Sequence, residues 1–213
     1  MAVVNYGDYD AWQRHALITV EDDDTAVQIQ ALTETIDIDI GERDLDKIDL
    51  LNLGQIPKHG SIGLTTVTFE GYSLQAGTAA AGTATGFWDL FAQKPAMVGT
   101  DASAADPLTN AITNDVTRYR VSILWTNDGA ATAGTSAVTS GATYQGKRFI
   151  IADCFCTACK ESFTDGVLKT TLTFKGVAFN KSASARIKIE SVALATSVAL
   201  SAPTAYTPDT TPW

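Results

Sequence analysis

The stretch RFIIADCFCTACKESFTDGVLKTTLTFKGVAF, residues 148–179, decides how this chain is read. Alternating runs flank the step Asp165-Gly166, and Asp-Gly between such runs is a strong short-range signal for a β-hairpin. The segment therefore divides into a strand RFIIADCFCTA, an irregular piece CKESF, a turn, and a strand VLKTTLTFKGVAF running back. The same stretch holds every cysteine of the chain, Cys154, Cys156 and Cys159. In an extended strand Cys154 and Cys156 share a face with Ile150 and Ala152, and Phe155 shares the other with Phe149 and Ile151. Tetrahedral zinc needs four ligands, usually from paired C-x-x-C units or added histidines. The histidines, His15 and His59, are distant in sequence, and no second cysteine pair exists. Free cysteine packs as a small hydrophobe, so the three are read as core residues. Metal or redox chemistry, and a cross-link between subunits, stand as the alternatives.

Outward from this hairpin the periodicity is again two. In VQIQAL, Val27, Ile29 and Ala31 share a face; in TIDIDI, Ile36, Ile38 and Ile40 alternate with Asp37 and Asp39. The apolar parity changes between these runs, which places a turn or bulge at Thr33 to Thr35. DKIDLLNL and LTTVTFEGYSL read as strands around GQIPKHGSIG, where Pro57 and the glycines should interrupt pairing. TRYRVSILW sets Tyr119, Val121, Ile123 and Trp125 inward and Arg118, Arg120 and Ser122 outward, and ARIKIESV is a last strand. These signals give about eight strands. One helix is expected, in GFWDLFAQKP, where Phe87, Leu90 and Phe91 fall at i, i+3 and i+4 before Pro95 and would pack on the open side of the sheets. The Ala/Gly/Ser/Thr-rich stretches between elements read as long loops, and SAPTAYTPDTTPW as an extended C-terminal arm. Residues 1–195 are expected to form one β domain, with 1–26 as an N-terminal arm and first strand, and 196–213 the arm that follows.

Composition limits the function. A chain of 213 residues suits one domain. The acidic N-terminus lacks the basic end and apolar run of a secretory signal, and no window approaches a membrane span, so a soluble protein made in the cytosol is expected. With 24 acidic against 15 basic residues the net charge is −9, and the lysines and arginines are scattered. A surface of that sign repels phosphate, which argues against tight nucleic-acid binding.

Catalytic patterns are wanting. Neither G-x-S-x-G, H-E-x-x-H nor a phosphate-binding glycine loop occurs. Asp37 and Asp39 stand two apart on one strand, whereas glycosidases draw their carboxylates from separate elements. DIDIGERDLDKI fails the calcium-loop template at its fifth and twelfth places. No enzyme activity, cofactor or metal is expected.

The order TIDIDIGERDLDKIDLLNLGQIPKHGSIGLTTVTFEGYSL, GFWDLFAQ, RYRVSILWTND and GKRFIIADCFCTACKESFTDGVLKTTLTFKGVAFNKSA resembles the tail tube (major tail) proteins of long-tailed bacteriophages or archaeal tailed viruses. The resemblance spans about residues 27–192. It implies a β-sandwich or incomplete β-barrel with a flanking helix, assembled as a homo-oligomer of stacked hexameric rings in the virion tail. Other tail proteins would be partners, no membrane is involved, and viral DNA would pass through the lumen without specific binding. It further implies that the connection Gln55, Ile56, Pro57, Lys58 and His59 reaches the next ring. Asp37 and Asp39, outward on their strand, would then face the channel lumen, with a solvated outer face as the alternative. A head decoration subunit and an adhesive, carbohydrate-binding β-sandwich are the alternative functions.

Overall fold

The computed structural model describes residues 15–21, 26–29, 31–51, 54–73, 117–126, 146–192, 204 and 206–210. Within them the chain is mainly β. The strands are β1 (His15–Glu21), β2 (Ala26–Ile29), β3 (Ala31–Asp39), β4 (Arg43–Asp49), β5 (Gln55–Ile62), β6 (Thr65–Ser73), β7 (Tyr119–Thr126), β8 (Gly146–Thr164), β9 (Val167–Gly176) and β10 (Ile187–Val192). All pairings are antiparallel. The expected helix with Phe87, Leu90 and Phe91 lies outside the described residues.

The path β2-β1-β7-β8-β9-β6-β3 forms one open sheet, with β10 added to β8, and β4-β5 form a ribbon of their own. β8 belongs to both halves of the large sheet. Its first part pairs β7 on one side and β10 on the other, through Ile123↔Phe149 and Ile189↔Phe149. Its second part, from Phe155 to Thr164, pairs β9. Folded over at β8, the two halves face each other across a single core. Ile18, Val20, Tyr119, Val121, Ile123, Phe149 and Ile151 from one half meet Val67, Phe69, Leu172 and Phe174 from the other. Phe174 stacks on Phe69 at 5.8 Å between ring centroids and receives the edge of Tyr119 at 5.9 Å.

The bend in β8 has a local cause. Asp153 has φ 53°, in the left-handed region that aspartate tolerates better than most residues. Pairing with β7 slips there, from Val121↔Ile151 to Tyr119↔Cys154, so β8 carries one extra residue. This bulge corrects the expected face assignment. Cys154 and Cys156 join Phe149 and Ile151 in the core, while Ile150 and Ala152 are only half-buried. A second slip, between Cys156 and Ala158, inserts another residue near Thr157 and returns Cys159 to the core side opposite Leu172. In an unbroken strand the C-x-x-C spacing would have put Cys156 and Cys159 on opposite faces. CKESF is also strand rather than irregular, running to Thr164. The turn is the expected one, with φ 55° at Asp165 and 79° at Gly166, as a two-residue hairpin turn requires. At the corner Gly176 gives β9 room, because an added Cβ would stand 3.1 Å from both Cys154 Cβ and Ile151 Cδ1.

Other expectations shift in instructive ways. The parity change expected before TIDIDI is a bulge in β3, seen as a register slip between Thr33 and Thr35. VQIQAL is divided, its first residues pairing β1 as β2 and its last opening β3 beside β6. Arg120 and Ser122 do lie opposite the Tyr119/Val121/Ile123 face, yet they are buried, as is Leu124. That second face is a polar layer. Arg120 donates to Glu21 across the β1-β7 ladder at 2.5 Å, and Arg148 pairs with Glu190 across β8-β10. Burial alone would raise the Glu190 carboxyl, but hydrogen bonds from Lys188 and Arg148 hold it below the ordinary range.

Asp153 itself is buried, with Arg118 Nη1 3.6 Å from Oδ1 and Arg186 Nε 3.2 Å from Oδ2. The Arg186 contact is an ion pair lying off the line of a hydrogen bond. Replacing Asp153 by Ala should therefore cost about 1–3 kcal/mol, because Arg118 loses its carboxylate, Tyr206 and the Asp209 N–H lose their acceptor, and Arg186 is left with Asp209 alone. Asp153→Asn, which keeps a side chain suited to the left-handed backbone, should cost less. Urea unfolding of the two variants measures both.

Candidate functional site

Several large apolar side chains stand in solvent, and they gather on two parts of the described fold. The larger is the β4-β5 ribbon. RDLDKID and QIPKHGSI pair with each other through Leu45↔His59, Asp46↔Lys58, Lys47↔Pro57, Ile48↔Ile56 and Asp49↔Gln55. GQIPKHGSIG is therefore mostly strand, which corrects its reading as an interrupted connection. Proline is tolerated because both strands of a two-stranded ribbon are edges. Every residue of β4 is exposed, as are Gln55, Ile56, Pro57, Lys58 and His59 on β5. Leu45, Ile48, Leu50, Leu51, Ile56 and Leu64 all stand in solvent, Leu45 at 66% of its full exposure. An isolated two-stranded hairpin is marginal in water, and here Ile48 and its partner Ile56 project from one face while Leu45 projects from the other, so both faces of the ribbon carry apolar surface that association would cover.

The ribbon is anchored at its root. Gly41 adopts φ 84°, and a Cβ there would lie 2.9 Å from the backbone of Gly63 and Leu64, so only glycine fits. Gly63 N–H donates to Glu42 C=O at 2.9 Å, Gly41 N–H to Asp39 Oδ1 at 2.8 Å, and Thr65 Oγ1 to Ile40 C=O at 3.1 Å. The tip is closed by Leu50 N–H donating to Gly54 C=O. The exposed Lys47–Asp49 pair at 3.5 Å adds little.

Asp37 and Asp39 lie where alternation puts them. Ile36 and Ile38 pack on the core, and the two aspartates stand exposed on the other face of β3. Ile40 departs from the pattern, falling beyond the strand and into solvent. Asp39 also takes a role that alternation could not show, accepting the Gly41 N–H that turns the chain into the ribbon. Behind the aspartates the same face carries Thr66 and Thr68 of β6 and Thr173 and Lys175 of β9, in register across the sheet. Thr68 and Thr173 share a hydrogen bond at 3.2 Å, and Lys169 pairs with Glu70 at 3.0 Å.

A second apolar projection sits at the β8-β9 turn. Phe163, at 71% exposure, is joined by Val167 and Leu168. The sequence FTDGVL holds the signal, since Phe163 and Val167 bracket the turn, but Asp-Gly by itself speaks only of turn geometry. In the sheet this tip lies at the Gly71↔Thr170 end of the β6-β9 pair, whereas the ribbon leaves from the Thr65↔Gly176 end. The two projections therefore stand at opposite ends of the same strands.

The cysteines belong to the core. Cys154 is fully buried and its Sγ–H donates to Tyr119 C=O at 3.2 Å; Cys156 is buried and Cys159 half-buried, and none is in a disulfide. Among the described residues no group of three or more His, Cys, Asp or Glu is placed to hold a metal ion. Burial raises all three thiols, assisted by neighbouring charge. Cys156 is pushed up to about 12 with Cys159 as its neighbour, and Cys159 to about 11 beside Glu161. Thiolate, the reactive form, is thus suppressed at neutral pH.

No family model matches the chain, and no curated protein does. Among solved structures, similar chains come from contractile injection systems. One is from the extended sheath–tube complex of the extracellular system PVC, with TM-score 0.46 and 14% identity, over 82% of this chain and 88% of that one. Another is from the tube-terminating cap of the anti-feeding prophage, with TM-score 0.43 and 14% identity, over 82% and 88%. A third is from the anti-feeding prophage baseplate, with TM-score 0.40 and 10% identity, over 85% and 95%.

Two outcomes follow from the thiol environments. Cys154→Ser should destabilise by about 1–3 kcal/mol through burial of a hydroxyl, measured by denaturant unfolding. Because folding raises the thiol values above the ordinary 9.0, their contribution is complete below that pH. It should be lost as pH climbs through 11 and 12. Thermal melts across this interval should show the native chain losing more stability than a Cys156→Ala/Cys159→Ala variant.

Proposed function

We propose that the chain is a structural subunit of a viral or virus-like tail, assembling into hexameric rings that stack as a tube for DNA delivery. The observation that carries this reading is the pair of apolar projections at opposite ends of one sheet. A surface at one end that differs from the surface at the other suits head-to-tail contacts, which generate open-ended stacks rather than closed dimers. The β4-β5 ribbon, with Leu45, Ile48 and Ile56 exposed, is the contact offered to the next ring. Gln55, Ile56, Pro57, Lys58 and His59 reach it as one strand of that ribbon.

Within a ring the open sheet supplies the lateral contact. β3 pairs only β6 among the described strands, and an edge strand of nine residues is a template for a neighbour. The acidic character supports a conduit: a net charge of −9 and outward Asp37 and Asp39 give passing phosphates no counterion-release gain. The role is structural and not catalytic, and the protein, made in the host cytoplasm, resides in the virion tail with other tail proteins.

Electron microscopy of the purified chain tests the reading. Regular tubes with a central channel are expected. A Leu45→Asp/Ile56→Asp variant should fold, by circular dichroism, and remain as short rings. Trimers that decorate a shell, or monomers that bind glycans, would assign the chain to a decoration or adhesive role instead. Normal tubes from the variant would move the stacking contact elsewhere. Asp37→Lys/Asp39→Lys should leave assembly intact and cause salt-sensitive retention of DNA; unaltered DNA passage would put both aspartates on the outer face.

A further inference from the structure

Thr204 and the segment Tyr206–Asp209 rest on a cradle built from earlier parts of the chain. Arg118 precedes β7, Arg120 lies in it, Asp153 is the corner of β8, Asn180 follows β9 and Arg186 precedes β10. Arg120 Nη2 donates to Thr204 C=O at 2.7 Å and its guanidinium lies 5.5 Å from the centre of the Tyr206 ring. The Tyr206 hydroxyl donates to Asp153 Oδ1 at 2.9 Å, and the Asp209 N–H to the same oxygen at 3.1 Å. Arg118 Nη1 donates to Asp209 C=O at 2.5 Å, Asn180 Nδ2 donates to the Asp209 carboxylate at 2.6 Å, and Arg186 pairs with that carboxylate.

These contacts read two side chains three residues apart, together with the backbone between them. Tyr206 is buried to 8% exposure, with a cation on its ring and a carboxylate on its hydroxyl. Charge is matched as well. The three arginines against Asp153 and Glu21 leave one positive charge on the cradle, and Asp209 cancels it. A pocket that recognises side chains at fixed spacing and pairs backbone groups is a peptide-recognition site.

Nothing in these contacts depends on the segment belonging to the same chain. The cradle is complete by Arg186, the ligand begins at Thr204, and the stretch 193–203, ALATSVALSAP, could span about 36 Å when extended. We propose that the cradle is a receptor for the Tyr206–Asp209 segment in trans as well as in cis, so that neighbouring copies exchange their C-terminal segments. Exchange of an identical element keeps every contact, and an assembly of any kind raises the local concentration of foreign segments. The proposal does not rest on the tube reading.

Thr207 is exposed between the two recognised side chains and is a neutral place for a probe. A full-length Thr207→Cys/Cys159→Ala chain, in which the half-buried thiol is removed and Cys154 and Cys156 stay buried, is labelled at position 207 with benzophenone maleimide and irradiated in its assembled form. A covalent dimer is expected, its linked peptides joining the C-terminal segment to residues near 118–120 or 180–186. An added Asp209→Ala substitution should lower the yield of those peptides several-fold with the fold retained by circular dichroism. Cradle-linked product of monomer size alone would overturn exchange and leave a purely internal clasp. Adducts that avoid the cradle would overturn the receptor itself. Either failure leaves the tube reading standing.

Discussion

A single buried carboxylate organises this molecule. Asp153 turns β8 by taking a left-handed backbone conformation, and by that turn one strand serves two halves of a sheet that then close on each other. A charged group with so little exposure survives only when paired, and Arg118 and Arg186 come to it from the starts of β7 and β10. The corner therefore depends on its counter-charges. Without the arginines the bulge would bury a carboxylate with no counter-charge.

The consequences spread along β8. The extra residue resets the alternation so that Cys154 and Cys156 line up with Phe149 and Ile151, and Gly176 keeps β9 close enough for Phe174 to meet Tyr119 and Phe69. On the far face the same region holds the C-terminal segment through Tyr206 and Asp209. Core packing and arm docking thus share one residue, which couples the last part of the chain to its central strand.

The contrast with the β4-β5 ribbon is sharp. The core strands bury apolar residues on at least one face, whereas the ribbon leaves leucines and isoleucines in water and, among the described residues, is anchored at its glycine root. Apolar exposure on that scale is a cost to an isolated subunit and an asset to an assembling one, since association recovers the transfer free energy at about 25 cal/mol per Å² of apolar surface covered. A net charge of −9 sets copies of the chain to repel one another, which opposes non-specific association through such surfaces.

Much of the fold was legible in the residues themselves. The period of two, the Asp165-Gly166 turn, the parity change before TIDIDI and the inward faces of TRYRVSILW each follow from local geometry, which any isolated strand would obey. Asp37 and Asp39 could be placed outward for the same reason. What alternation could not supply was the position of bulges, because an inserted residue is selected by its partners: Asp153 by two distant arginines, the residue near Thr157 by the register of β9. Nor could it show that Pro57 sits in a strand, since a proline is excluded only where its N–H would face a partner, and the ribbon has none on its outer edge. The buried Arg120, the Tyr206 clasp and the opposed projections at Leu45 and Phe163 likewise belong to tertiary structure. Each depends on which segments lie side by side, and long-range charge pairing and sheet register, not local propensity, decide that.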